Sequence, residues 1–473
     1  MKQLSVIITF VLLFLTSCDA QNESKIKNIE DLEANIDALV KQYQDLDIFS
    51  GIVLVAEKGA PKYHKAFGLA NRETKTANTI NTKFDIGSMN KSFTKTVILQ
   101  LIEEGKLKVT DRLGQYISGF PEIAANKITI SHLLDHASGY TDYWGDDFDE
   151  LSIDEKRLSG LVERIKKLRL EFEPGTEKAY SNSGYVLLGA IIETITGTSY
   201  HQNVVDRIIK PLKMSETYVI DKHKVPNRAI GYYKDMEGNI YNNLGFAEVP
   251  NPDGGFHSTP RDIVKFYSEY FYGTTLLSEA TKNNEAFFGS KAKRIRTGEA
   301  SLMAGGFPGA NTAYLEIMRD KISIIVFANM DEPVGEQLAT GILALVRGEK
   351  PTTPSLTANQ NVYKHYVKYG IKYVEEHFSE LTKNFHSEDP KGMILNGIGY
   401  SFLRKGETEE ALKFFTLNVK LFPEDANLWD SLGEIHFELG DTEKALRFYK
   451  KALAMDPHLE SAKEMIKKIN AKN

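Results

Sequence analysis

The chain has 473 residues, 42% apolar and 26% charged, the balance of a globular protein rather than a disordered one. A formal charge of −6 with no long block of either sign leaves nucleic-acid binding without an electrostatic footprint. The length exceeds one ordinary core, at roughly 100–200 residues per domain, and implies two or three folding units.

At the N-terminus Lys2 precedes an apolar run from Val6 to Leu15, which Thr16-Ser17-Cys18 closes with small residues. About ten apolar residues are too few for a bilayer core roughly 30 Å thick, so residues 1–18 read as a signal peptide rather than a membrane helix. Cys18 is the only cysteine, which excludes an intramolecular disulfide. Its setting resembles the lipobox of bacterial lipoproteins. That resemblance implies lipidation at Cys18 and an envelope location, on the periplasmic or surface side, with membrane contact through the lipid. The polar residues 19–30 suit a tether.

From Ile29 to Tyr43, apolar residues spaced three and four apart predict an amphipathic helix, followed by the body of a domain over 31–346. The β-branched stretch Phe49 to Ala56, a turn at Glu57-Lys58-Gly59-Ala60, and Pro61 to Gly68 predict a hairpin. A second hairpin pattern spans Ala313 to Asn329. Helical and loop-rich sequence separates the two, which predicts one sheet built from both ends of the domain with a helical region inserted between.

Phe84-Asp85-Ile86-Gly87-Ser88-Met89-Asn90-Lys91-Ser92-Phe93-Thr94 is the most informative stretch. In a helix starting near Ser88, Lys91 lies one turn on, within reach of the serine hydroxyl. A serine is a poor nucleophile at neutral pH, and a neighbouring lysine lowers the cost of its alkoxide or accepts its proton. Further along stand Ile128-Thr129-Ile130-Ser131-His132-Leu133-Leu134-Asp135-His136-Ala137-Ser138-Gly139 and Pro174-Gly175-Thr176-Glu177-Lys178-Ala179-Tyr180-Ser181-Asn182-Ser183-Gly184-Tyr185.

In this order, over roughly residues 50 to 330, these segments resemble the serine β-lactamase and penicillin-binding-protein superfamily. The resemblance implies an α/β fold, with an antiparallel sheet flanked by helices plus an all-helical subdomain. It also implies a serine hydrolase working through an acyl-enzyme on an ester, amide or D-amino-acid peptide, with no cofactor. By the same carry-over Ser88 is the nucleophile, Lys91 and Tyr180 move protons, and Asn182 binds the substrate amide. Gly305 and Gly306 line the substrate, and the Ser88 and Gly306 amides form an oxyanion hole.

One motif departs from the family pattern. The position that carries lysine or histidine in the family is Met303, in Met303-Ala304-Gly305-Gly306. A thioether cannot hold a substrate carboxylate, so weak or absent β-lactamase activity is expected. Arg296-Thr297-Gly298 is basic but lies seven residues too early for the turn that follows. The loss of the cation also motivates a second reading, a feebly catalytic or non-catalytic scaffold that recruits a partner. His132 and His136, four apart with Asp135 between, superficially match a zinc helix, but the acid is misplaced and no third ligand is suggested, so no metal is expected. In Gly254-Gly255-Phe256-His257-Ser258-Thr259-Pro260, Ser258 or Thr259 is expected to cap a helix.

After Val346 the composition shifts to a linker, residues 347–361. Gly399 and Gly433, Ala411 and Ala445, and Pro423 and Pro457 are each separated by 34 positions. That period resembles the tetratricopeptide repeat and predicts an α-helical repeat domain over 362–473. Val362 to Phe378 is expected to cap one end and Glu460 to Ile469 the other. That resemblance implies a protein or peptide partner in the concave face, or else packing of the two repeats on the catalytic body.

Overall fold

The computed structural model describes residues 29–471 apart from 146, 247–248, 332 and 384–390. The expected signal peptide, Cys18 and most of the tether lie outside the described residues.

Helix α1 (Ile29–Asp45) leads into strands β1 (Gly51–Glu57) and β2 (Ala60–Phe67), which pair antiparallel as the first expected hairpin. Helix α2 (Asn90–Glu103) follows the Ser88 turn, and α3 (Ile130–Leu134) and α4 (Asn182–Thr196) belong to the inserted helical region. A short hairpin, β3 (Tyr232–Lys234) and β4 (Ile240–Asn242), precedes helix α5 (Pro260–Phe271). Strands β5 (Ala300–Phe307), β6 (Ala310–Ile317) and β7 (Ile322–Ala328) then complete an antiparallel sheet of order β2-β1-β7-β6-β5. Strand β1 pairs with β7 residue for residue, from Gly51 opposite Ala328 to Glu57 opposite Ile322. The first and last strand groups of the domain therefore share one sheet, as the pattern predicts.

Strands β1, β6 and β7 are buried along their whole length. Both faces are covered, which is why these strands read as continuous apolar runs rather than alternating ones. Ile52, Leu54, Tyr314, Ile325 and Phe327 face the core that includes α2, α4 and α5. Val53, Val55, Leu315, Ile324 and Val326 face α1 and helix α6 (Val334–Val346). At Gly51 an added Cβ would stand 1.8 Å from the Phe327 carbonyl oxygen, so the strand pair closes only with glycine there.

The C-terminal helices are α7 (Ala358–Tyr369), α8 (Ile371–Leu381), α9 (Gly392–Arg404), α10 (Thr408–Leu421), α11 (Ala426–Glu438), α12 (Thr442–Met455) and α13 (Glu460–Asn470). Helix α7 starts within the stretch read as linker. The 34-residue period has a packing cause. A Cβ on Gly399 would stand 2.8 Å from the Phe415 ring, and one on Gly433 would stand 2.9 Å from the Tyr449 ring. Each repeat thus seats an aromatic ring of its second helix on a glycine of its first.

The helical repeats are docked on the sheet domain rather than tethered to it. Met236, at the tip of the β3–β4 hairpin, is buried in the repeat core with Val362, Phe402 and Phe414. Beside it Lys405 pairs with Glu237 at 2.6 Å, and the Gln360 amide donates to the Asp235 carbonyl at 3.3 Å. Among the described residues no helix is long and apolar enough to cross a membrane.

Candidate active site

Ser88 is presented by a tight turn. The Phe84–Asp85 segment pairs with His257–Ser258, Gly87 turns the chain with φ +48°, and a short 3-10 turn over Gly87–Met89 runs into α2. The Gly87 amide donates to the Asp85 carboxylate at 2.7 Å, and the Ile86 amide donates to the Phe256 carbonyl at 2.9 Å. Helix α2 is fixed behind by stacking of Phe93 on Phe266, with centroids 4.0 Å apart.

The Asn251-Pro252-Asp253 loop is held by α2. Asn90 Nδ2 donates to the Asn251 carbonyl at 2.7 Å, Thr94 Oγ1 to that of Pro252 at 2.6 Å, and Lys91 Nζ to that of Asp253 at 3.1 Å. Of the two candidate caps it is Thr259 that caps α5, accepting from the Asp262 amide, while Ser258 bonds Thr217.

Lys91 Nζ also donates to Ser88 Oγ at 3.0 Å and to Asn182 Oδ1 at 2.5 Å. An ammonium has three N–H donors, and here each has an acceptor. Ser88 Oγ accepts from Lys91 and shares a second hydrogen bond with the Tyr180 hydroxyl, 2.6 Å away, in which either oxygen can donate. The far side of Asn182 is fixed as well: its Nδ2 donates to Asp142 Oδ2 at 2.5 Å. Burial raises the Asp142 carboxyl above its ordinary value, while the Asn182 amide and the Lys91 cation pull it back. Burial likewise raises Asp253, whose carboxylate accepts from the Tyr143 hydroxyl at 2.8 Å.

Tyr180 is 58% exposed, with its ring against the Lys91 ammonium. His136 holds it from behind. The imidazole stacks on the Tyr180 ring at 4.8 Å, its Nδ1 accepts from the Ser181 amide at 3.1 Å, and its carbonyl accepts from the Ala179 amide at 2.9 Å. Burial, reinforced by the Lys91 cation, lowers His136 to about 4, so the ring is neutral at physiological pH. His136 lies beyond the end of α3 with φ +56°, so it does not continue a helical face with His132. The His132 ring instead accepts from the Thr129 amide at 3.4 Å and caps α3.

The opposite wall is strand β5. A Cβ on Gly305 would stand 2.0 Å from the Ile86 carbonyl oxygen and 2.8 Å from the Ser88 amide nitrogen, and one on Gly87 would stand 2.7 Å from the Gly306 amide nitrogen. Glycines at 87 and 305 let β5 approach the nucleophile turn, with the Ser88 and Gly306 amides on neighbouring strands of backbone. Met303 lies two residues earlier, packed against the core rather than offering a charge. Arg296-Thr297-Gly298 forms the end of a helix capped by Gly298 at φ +71°, off the sheet.

A cavity of about 90 Å³ opens beside Ser88, with Trp144, Phe148, Phe246 and Phe307 around it and Asp253 in its lining. Asp142, His136 and Trp144 belong to the site yet carry no recognisable spacing from Ser88. They come from loops that only the fold brings together. Of the residues carried over from the resemblance, Ser88, Asn182 and Gly306 line this cavity, Lys91 and Tyr180 bond to Ser88, and Gly305 packs on the Ser88 turn.

A two-hairpin sheet with a serine held by lysine and tyrosine defines a serine hydrolase. The β-lactamase family model matches residues 36–345 and a tetratricopeptide-repeat model matches residues 426–459, so the chain belongs to the β-lactamase family and carries a C-terminal repeat region. Penicillin-binding protein 4* of Bacillus subtilis is 30% identical over 317 residues, which is 60% of this chain and 69% of that protein. A teichoic acid D-alanine hydrolase of Staphylococcus aureus is 28% identical over 247 residues, 52% of this chain and 60% of that protein's own length. In fold, the domain is similar to the D-amino acid amidase of Ochrobactrum anthropi SV3, with a TM-score of 0.58 and 22% identity over 67% of this chain and 99% of that one.

Proposed function

We propose that this protein cleaves a small acyl group from an ester, amide or D-amino-acid peptide through an acyl-enzyme on Ser88. The observation that carries the proposal is the continuous hydrogen-bond chain Tyr180–Ser88–Lys91–Asn182. Ser88 Oγ bonds to the acyl carbon as its proton passes to the Tyr180 oxygen, and the tyrosine's own proton goes to the leaving atom as the bond to that atom breaks. Lys91 stabilises the developing negative charge on Ser88, and the Ser88 and Gly306 amides receive the oxyanion. Water then reverses the sequence and frees Ser88.

The second N–H of Asn182 Nδ2 is directed to the substrate amide or ester carbonyl. The cavity beside Ser88 suits a small acyl group, and the D-alanine named for the Staphylococcus relative is of that size. Met303 in place of a cation disfavours substrates held by a free carboxylate, so β-lactam turnover is expected to be weak. The signal-like N-terminus and Cys18 support a lipid-anchored location in the cell envelope, and the repeats support a protein or peptide partner.

A fluorophosphonate probe and a series of p-nitrophenyl esters test the proposal. Labelling and ester turnover that both vanish in Ser88→Ala are expected. Absence of labelling, or labelling unchanged in Ser88→Ala, favours the scaffold reading instead.

A further inference from the structure

A second and larger cavity, of about 750 Å³, runs away from the nucleophile. It shares Trp144, Asn182, Gly306 and Phe307 with the small cavity beside Ser88, so the two are one continuous cleft. From Phe307 and Pro308 the groove passes the start of α6 and ends against residues 355–360, where the linker turns into α7. The end of the linker and the first turn of α7 therefore supply the far wall of a groove whose near end is the reacting serine. A small acyl group fills the cavity beside Ser88, which leaves the long groove to the other half of the substrate.

Among the described residues, the charged ones lining this groove are Asp142, Lys234, Asp235, Asp331 and Glu336. The one cation among them is engaged elsewhere: Lys234 Nζ donates to the Asp47 carbonyl at 2.6 Å and lies 3.2 Å from the Asp47 carboxylate. Asp331 accepts from the Lys234 and Gly309 amides, and Asp235 accepts from Asn239, so local backbone bonds hold these two acids in place. Met303 contributes no charge to the wall of the site. Away from Lys91 at the nucleophile, acids outnumber the cation in the lining of the groove as it runs towards α7, and a cleft lined mainly by one sign of charge concentrates its field.

Resting on the hydrolase reading above, we propose that the groove binds an extended leaving group bearing positive charge, and selects against anionic arms. The scissile bond joins a small acyl group to an amine-bearing chain that lies along Phe307, Pro308 and α6 and reaches α7. A polyanionic carrier is rejected by the same carboxylates, because like charges in one desolvated cleft disfavour binding.

The test uses the full-length chain at pH 8 and the acyl group turned over best as a p-nitrophenyl ester. That acyl group is joined to alcohols with flexible arms ending in aminoalkyl, hydroxyalkyl or carboxyalkyl groups. The expected result is a kcat/KM for the amino arm about 10-fold or more above that for the carboxylate arm at low ionic strength, carried mainly by KM and shrinking at 0.5 M salt. In Glu336→Gln the ratio of amino to carboxylate arm narrows, and in Asn359→Trp the advantage of any long arm over a methyl ester is lost. Both readouts are ratios within one variant, so a fall in total activity does not imitate them. Equal turnover of the three arms, or preference for the carboxylate, overturns the groove assignment while leaving the hydrolase intact. Failure of every ester, p-nitrophenyl included, overturns the hydrolase reading and the groove assignment with it.

Discussion

Lys91 directs three N–H donors at Ser88, Asn182 and the Asp253 carbonyl, so its charge is spread over nucleophile, amide and loop at once. Replacing it by methionine, close in length, leaves these acceptors without a donor, and kcat for the best p-nitrophenyl ester should fall by about 10²–10³-fold. Tyr180→Phe removes the only hydroxyl bonded to Ser88 in the described structure, and should lower kcat by roughly 10²–10⁴-fold with little change in KM. A rise in KM with kcat unchanged would show instead that Tyr180 merely binds substrate. Ser88 and Lys91 were legible from spacing because a helix turn is local geometry. Tyr180 and Asn182 needed the family pattern, since a Tyr-Ser-Asn turn after Pro-Gly starts a helix just as well without chemistry. Asp142 and His136 were not legible as part of the site: their contacts with Asn182 and Tyr180 cross 40 or more residues of chain and leave no period in the sequence.

At the scale of elements, the site depends on how closely β5 approaches the Ser88 turn. Gly305→Ala places a methyl group on the Ile86 carbonyl, and backbone cannot yield as a flexible side chain can. The variant should lose ester turnover and about 1–3 kcal/mol of stability, read as a lower urea midpoint. Retained turnover would show that β5 does not set the oxyanion geometry. Both hairpins, the first helix and the repeat helices followed from periodicity, because strands buried on both faces and ring-on-glycine packing each leave a sequence signature. The β3–β4 hairpin did not. Its three-residue strands carry too few residues to show alternation, and its importance lies in Met236, which reads as an ordinary apolar residue until the repeat core closes over it.

At the scale of the whole molecule, that hairpin ties the repeats to the hydrolase. Met236→Asp places a charge in the repeat core, and limited proteolysis within residues 347–357 should accelerate several-fold; unchanged cleavage would mean the docking does not depend on this contact. Acid stability follows from two histidines held neutral. Burial lowers His64 and His136 to about 4, against an ordinary value of 6.5. Between those values the unfolded chain binds protons that the folded chain does not, so both contributions are complete above pH 6.5 and are lost as pH falls towards 4. Asp331, raised by burial to about 6, acts with opposite sign over its own window, stabilising below its ordinary value and losing that stability as pH rises towards 6. The comparison is therefore made between variants: the fall in urea midpoint from pH 7 to pH 5 should be smaller in His64→Gln than in the parent chain. Equal falls would contradict the burial of a neutral His64.

The central claim is that Ser88 carries an acyl group during turnover. The direct measurement mixes the protein with its best p-nitrophenyl ester, quenches in acid within the first turnovers, and weighs the proteolytic peptide that contains Ser88. The expected result is a peptide heavier by one acyl group, fragmenting at Ser88, and absent in Ser88→Ala. Ester cleavage with that peptide unmodified, or with the acyl group on another residue, would contradict it.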